Sequence, residues 1–74
     1  MIFPQFRKHQ SGKNFYTLHS LTDFEEIQIM GQKTLRHTLQ AKTYFEKVQI
    51  QDMIACHPPY LLCTEDEIQK HLKG

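Results

Sequence analysis

The residues best able to do chemistry in this sequence are its two cysteines and five histidines. Cys56, His57, Cys63 and His71 fall within one short segment, and thiolate and imidazole are preferred ligands of zinc. Structural zinc sites present paired ligands two to four residues apart, whereas these cysteines are seven positions apart. Of the three functional hypotheses that the sequence supports, a metal or thiol site near Cys56 and Cys63 therefore ranks last. No residue is predicted as a metal ligand.

Catalysis by a thiol needs a base within hydrogen-bond reach of the cysteine. Cys56 and His57 are adjacent, and adjacent residues of an extended segment point to opposite faces, so the two do not form a dyad with each other. The sequence has no glycine-rich phosphate loop, and its three glycines are too few and too scattered for a nucleotide cradle. We expect no catalytic residue, no cofactor and no enzymatic activity.

Basic residues alternate with aromatic ones in the N-terminal part of the chain. Proteins that bind single-stranded nucleic acid stack bases on aromatic rings while lysine and arginine contact phosphates. The residues that fit this pattern are Arg7, Lys8, Lys13, Phe15, Tyr16, Lys33 and Arg36. The net charge of +1 is far below the basic balance of dedicated nucleic-acid binders. The second hypothesis is therefore weak nucleic-acid binding, centred on a predicted N-terminal hairpin that carries the first five of these residues.

The length of 74 residues predicts one domain that spans 1–74. A chain of this size buries only about 60% of the surface that its unfolded form exposes, so self-association is a natural supplement to its stability. No apolar run approaches the roughly 20 residues of a membrane helix, and the N-terminus lacks the apolar core of a signal peptide. We expect a soluble protein of the cytoplasm, where both cysteines stay reduced.

Alternation of apolar and polar residues predicts most of the sheet. It is clearest over 34–41, where one face carries leucine, histidine and alanine and the other threonine, arginine and glutamine. Residues 44–51 continue the alternation and are predicted as a strand that pairs antiparallel with the first. An N-terminal hairpin over 2–18 and a short strand at 60–63 complete a small antiparallel sheet of four to six short strands.

Two segments carry helix-capping signals. Thr22 and Glu25 fit a capping box, which predicts a short helix near residues 21–26, while 27–30 suit either a strand or a continued helix. Thr64 and Glu67 fit a second capping box, and a helix starting there would end before Gly74. The predicted class is therefore α+β, with the short helix and a C-terminal helix packed on the sheet.

The outward face of the two predicted central strands is mostly neutral and polar. Its residues are Thr34, Arg36, Thr38, Gln40, Gln49 and Gln51. A neutral face costs less to desolvate than a charged one, and an unprotected edge strand invites an added strand. The first hypothesis is a non-enzymatic interaction module that binds another protein or a second copy of itself. A plain solvated face explains the same pattern equally well.

Overall fold

The computed structural model describes residues 1–73, so the predicted position of Gly74 after the last helix lies outside the described residues. Over that range the chain forms an antiparallel sheet and two helices. The elements are β1 (Gln5–His9), β2 (Asn14–Leu18), β3 (Asp23–Met30), β4 (Lys33–Gln40), α1 (Tyr44–Ile54), β5 (Tyr60–Leu62) and α2 (Glu65–Lys73). The predicted α+β class, with a small antiparallel sheet and a C-terminal helix, is confirmed.

The strand order in the sheet is β4-β3-β2-β1-β5, and every neighbouring pair is antiparallel. The first four strands form a meander in which each strand pairs with the next. Helix α1 then returns the chain from β4 to the free side of β1, where β5 pairs. Consequently β4 and β5 are the two edges of the sheet.

The turn between β3 and β4 has two residues, Gly31 and Gln32. Gly31 has a φ of +62°, a backbone region that glycine enters at little cost. A two-residue turn that begins with glycine matches the right-handed twist of the paired strands. It sets the register in which Met30 opposes Lys33 and continues without interruption to Asp23 opposite Gln40.

Each face of the sheet carries one helix. On the face that we call the α1 face, Leu18 and Phe24 pack against Ile50 and Met53 of α1. On the opposite face, the α2 face, Phe15 and Ile27 pack against Ile68 and other apolar residues of α2. The sheet is therefore covered on both sides, which explains why β2 carries apolar residues facing both ways. Neither helix is long and apolar enough to cross a membrane, among the residues described.

The predicted short helix near residues 21–26 is wrong. The Ser20 hydroxyl accepts hydrogen bonds from the N–H groups of Thr22 and Asp23, at 3.1 Å and 3.0 Å, and so closes a turn rather than opening a helix. Strand β3 begins at Asp23 and continues through 27–30, which settles the conformation that the sequence left open. Serine and threonine hydroxyls cap turns and helices by the same hydrogen bond, so the capping signal alone did not distinguish them.

The predicted strand over 44–51 is also wrong, because these residues belong to α1. Thr43 is the N-cap of this helix: its hydroxyl accepts from the Glu46 N–H at 3.2 Å, and the Glu46 carboxylate accepts from the Thr43 N–H at 3.1 Å. Ile50 and Met53 are buried one helical turn apart. The apolar spacing fits a helix as well as a strand, and the capping box decides between them.

Helix α2 confirms the predicted C-terminal helix. The Thr64 hydroxyl accepts a hydrogen bond from the Glu67 N–H at 3.3 Å and so caps the helix, while the Glu67 carboxylate accepts from Lys8 Nζ instead of completing a capping box. Ile68 is buried against Phe15 and Ile27, and Leu72 packs against the edge of the same cluster. The acidic residues of the first turn lie at the positive end of the helix dipole, where they are stabilising.

Candidate protein-interaction edge

Strand β4 is an eight-residue edge strand that is exposed on both faces. Every one of its residues except Leu39 is exposed to solvent. Edge strands are usually protected by shortness, by proline, by a bulge or by several charges. Strand β4 has no proline and no bulge, and within it only Lys33 and Arg36 are charged. Its length and exposure make it the least protected edge of the sheet.

The outer side of β4 presents unpaired backbone groups. The N–H of Ala41, directly after the strand, donates to the Thr22 carbonyl at 2.6 Å. Backbone N–H and carbonyl directions alternate along a strand, so odd-numbered residues face β3 and even-numbered residues face outward. The even-numbered residues are Thr34, Arg36, Thr38 and Gln40. Among residues 1–73, no backbone hydrogen bond from another segment reaches these four.

The side chains of these four residues lie on the α2 face. Arg36 Nη2 contacts both carboxylate oxygens of Glu25, at 3.1 Å and 3.0 Å, so its charge is balanced within the protein. Thr34 Oγ1 donates to the His71 carbonyl of α2 at 3.3 Å. The outer edge is thus flanked by neutral groups and one compensated arginine, a surface that costs little to desolvate.

The α1 face of the β3–β4 hairpin carries exposed apolar side chains near its tip. Leu39 packs against the core beneath α1, and strand alternation places Leu35 and His37 on the same face. Leu35 is 40% exposed, and Met30 at the end of β3 is 58% exposed. Helix α1 therefore covers the Leu39 end of this hairpin and leaves the tip bare.

A second exposed apolar group begins four residues beyond the end of β4. Tyr44 and Phe45, in the first turn of α1, are 76% and 83% exposed, and their rings form an edge-to-face pair with centroids 6.0 Å apart. Sequence patterning did not find them because their segment was predicted as a strand. The Thr43 and Glu46 capping box is the signal that places them at the start of a helix.

Four of the six predicted interaction residues lie together, on β4. Gln49 and Gln51 do not join them, because they lie on α1 on the other side of the sheet. The prediction assumed that 44–51 paired with 34–41, and the partner strand of β4 is instead β3. The candidate interaction edge is therefore the outer side of β4 alone.

The residues of the predicted nucleic-acid surface are dispersed. Phe15 and Tyr16 are buried on opposite faces of β2, so neither ring is free to stack on a base. Arg7 is 7% exposed, and its Nε donates to the Met53 carbonyl at 2.7 Å. Lys8 pairs with Glu67 at 3.1 Å.

Of the remaining members, Lys13 and Lys33 are exposed near the sheet end that also carries the β3–β4 turn, and Arg36 is bonded to Glu25. The two exposed lysines alone form no aromatic and basic surface. Sequence patterning missed the structural role of Arg7, since nothing in its neighbours reveals the helix end that it contacts.

The two cysteines are free thiols and lie in different surroundings. Cys56 follows α1 with a φ of +57°, while Cys63 packs in the core cluster beneath α2. Burial, followed by the charge of Glu67, raises the pKa of Cys63 to about 11. The part of the chain described here has no cluster of three histidine, cysteine or acidic side chains that would hold a metal ion.

A cleft of about 200 Å³ lies between α2 and the sheet, lined by Phe6, Thr17 and Ile68 among others. Its charged lining residues are Glu25 and Arg36, which are bonded to each other, and Glu65. The cleft thus offers a ligand no unpaired charge from that pair.

No family model matches this chain, and no curated protein or solved structure is detectably similar to it.

Proposed function

We propose that this protein is a non-enzymatic interaction module that binds its partner by accepting an added β-strand at the outer side of β4. The observation that carries the proposal is the row of outward backbone groups at Thr34, Arg36, Thr38 and Gln40, on a strand exposed on both faces. Strand addition uses such groups for affinity and alternate side chains for specificity.

The energetics of the edge favour binding. Each backbone hydrogen bond made by an added strand contributes about 0.5–1.5 kcal/mol net, and the four outward residues offer both a donor and an acceptor each. Leu35 and Leu39 would meet apolar side chains of the added strand on the α1 face, and Thr34 and Thr38 would meet polar ones on the α2 face. An extended segment with the same alternation is therefore the preferred partner.

The expected setting is the cytoplasm. Two unpaired thiols suit a reducing compartment, where a thiol such as Cys63 stays protonated and inert. Catalysis plays no part in the proposal, since strand addition needs only backbone pairing and side-chain fit.

A library of displayed extended peptides tests strand addition directly. Peptides selected on the wild-type protein should lose about two- to tenfold in affinity for Thr38→Pro, because proline removes one outward N–H and with it one hydrogen bond. The inner ladder to β3 is unaffected, since the N–H of residue 38 does not face β3. Thr38→Ala is the matched control and should bind like the wild type. Selected peptides that bind Thr38→Pro equally well would contradict the proposal.

A further inference from the structure

We infer that the strand added to β4 comes from a second copy of this chain, so that two sheets join across a twofold axis into one continuous sheet. The inference rests on the proposed function and names its partner. Self-complementarity of β4 is what supports it: length, hydrogen-bonding positions and side chains all match when the strand is paired antiparallel with itself.

Hydrogen bonding selects one register. A twofold axis normal to the sheet places the α1 faces of both copies on the same side of the joined sheet. The outward N–H and carbonyl groups belong to even-numbered residues, so they pair only in registers that place even-numbered residues opposite even-numbered ones. Centring the axis on His37 pairs Thr34 with Gln40 and Arg36 with Thr38, and it uses all four outward residues of both copies. If one strand is shifted along the other by two residues in either direction, one of the four outward residues has no partner in the opposing strand.

Side chains favour the same register. On the α1 face, Leu35 of each copy lies opposite Leu39 of the other, which makes two apolar cross-strand pairs. On the α2 face, Arg36 lies opposite a neutral threonine. Centring the axis on Arg36 instead would place two guanidinium groups directly opposite each other, an arrangement that is destabilising. In the register centred on His37, the Arg36 side chains of the two copies therefore do not lie opposite each other.

The twofold axis also covers the exposed apolar groups. In this register Lys33 of one copy lies opposite Ala41 of the other, so the hairpin tip of each copy comes beside the first turn of the other copy's α1. Met30 and Leu35 are exposed at that tip, and Tyr44 and Phe45 are exposed at that turn. Met30 and Leu35 lie on the α1 face, and Tyr44 and Phe45 belong to the helix that packs on that face. Two apolar groups that are separate in one copy thus meet in the dimer, as an isologous interface requires.

Sedimentation equilibrium between about 1 and 100 µM tests self-association. The wild-type protein should be a dimer at the upper concentration, and Thr38→Ala should match it. Thr38→Pro and Phe45→Ser should each weaken dimerisation at least tenfold, the first by removing an outward N–H and the second by removing an exposed apolar ring. Leu35→Lys is the second edge variant if Thr38→Pro does not fold, and it should weaken the dimer similarly.

A wild-type protein that is monomeric at 100 µM overturns the inference. If displayed peptides still bind β4 in that case, strand addition stands and only the identity of the partner is lost. If neither association is observed, both proposals fail. A dimer that is equally strong in the wild type, Thr38→Pro and Leu35→Lys would place the interface elsewhere and would also overturn the inference.

A disulfide at the axis tests the register. With Cys56→Gly and Cys63→Ala removing the native thiols, His37→Cys should oxidise to a covalent dimer, because residues that face each other in a non-hydrogen-bonded pair are within disulfide distance. Thr38→Cys in the same background is the matched control, since it lies opposite Arg36 and not opposite itself. Equal cross-linking at both positions, or cross-linking at 38 alone, would contradict the register.

Discussion

Arg7 carries a buried positive charge that no acidic side chain balances in the described structure. Its guanidinium donates to the Met53 and Ile54 carbonyls at 2.7 Å and 3.2 Å, and to Gln5 Oε1 and the Phe6 carbonyl at 2.7 Å each. The two carbonyls at the end of α1 lie at the negative end of the helix dipole, which supplies the opposing charge. Arg7 therefore links β1 to the C-terminal end of α1.

Replacing Arg7 by lysine should lower the free energy of unfolding by about 2–4 kcal/mol. An ammonium group lacks the planar fork that reaches several carbonyls at once, and it leaves buried acceptors without donors. Urea unfolding followed by circular dichroism measures the change. Lys13→Met, at an exposed position, is the control and should change stability by less than about 0.5 kcal/mol. Equal stabilities of Arg7→Lys and the wild type would contradict this role.

Replacing Cys56 by glycine should raise the free energy of unfolding by about 1 kcal/mol. Cys56 has a φ of +57°, and its N–H donates to the Met53 carbonyl while the next N–H, of His57, donates to the Asp52 carbonyl. These bonds form the helix-terminating motif that usually has glycine at this position, because a side chain is strained there.

Ala55→Gly is the matched control for that change. Ala55 has a φ of −79°, where glycine gains nothing and only adds freedom to the unfolded chain. The same urea experiment should therefore find Cys56→Gly more stable than the wild type and Ala55→Gly less stable. Destabilisation by both variants would show that strain at residue 56 is not relieved by glycine.

The start of α1 is an element whose stability should depend on pH. Hydrogen bonds from the Thr43 backbone and side chain, with a further one from the Lys42 backbone, lower the pKa of Glu46. A carboxylate whose pKa is lowered on folding stabilises the folded state above its unfolded pKa of about 4.3, and that stabilisation is lost as pH falls through the folded value. The capping box should thus weaken in acid.

Glu46→Ala isolates this contribution. Thermal unfolding should show a lower Tm for Glu46→Ala than for the wild type at pH 7, and the difference should shrink at pH 3. Glu46→Gln is the control, because glutamine keeps a hydrogen-bond acceptor for the Thr43 N–H without a titrating charge. A Tm difference that is the same at both pH values would contradict the linkage to Glu46.

At the level of elements, the sequence predicted strands more reliably than helices. The alternation over 34–41 identified β4, and the Thr64 and Glu67 pair identified α2. Helix α1 was mistaken for a strand because apolar residues at 48 and 50 follow the two-residue period of a strand, whereas its buried pair, Ile50 and Met53, has the spacing of a helix. The helix predicted near residues 21–26 is instead a turn closed by Ser20 and the start of β3. Pairing of β3 with β2 and β4 outweighs the local preference of its residues for helix.

The candidate site was predictable only in part. Thr34, Arg36, Thr38 and Gln40 were found because side-chain alternation also reveals which backbone groups share a direction. That β4 is an edge depends on where α1 takes the chain afterwards, which is a tertiary property. The burial of Phe15 and Tyr16 has the same origin: the sheet is covered on both faces, so β2 has no solvent face for aromatic rings.

For the whole molecule, the two sheet edges are protected unequally. Strand β5 has three residues, so its outer edge offers few backbone groups to an added strand. Strand β4 has eight residues and no such protection. A chain of 74 residues gains proportionally more from an added interface than a long one, because it buries a smaller share of its own surface. Both facts favour association at β4.

Amide hydrogen exchange of β4, followed residue by residue by NMR, tests strand addition by a second copy most directly. At concentrations where the protein is dimeric, the outward amides of Thr34, Arg36, Thr38 and Gln40 should be protected as strongly as the inward amides between them. On dilution, or in Thr38→Pro, protection should remain only at the inward, odd-numbered positions. Outward amides that exchange freely in a dimeric sample would contradict the proposed edge.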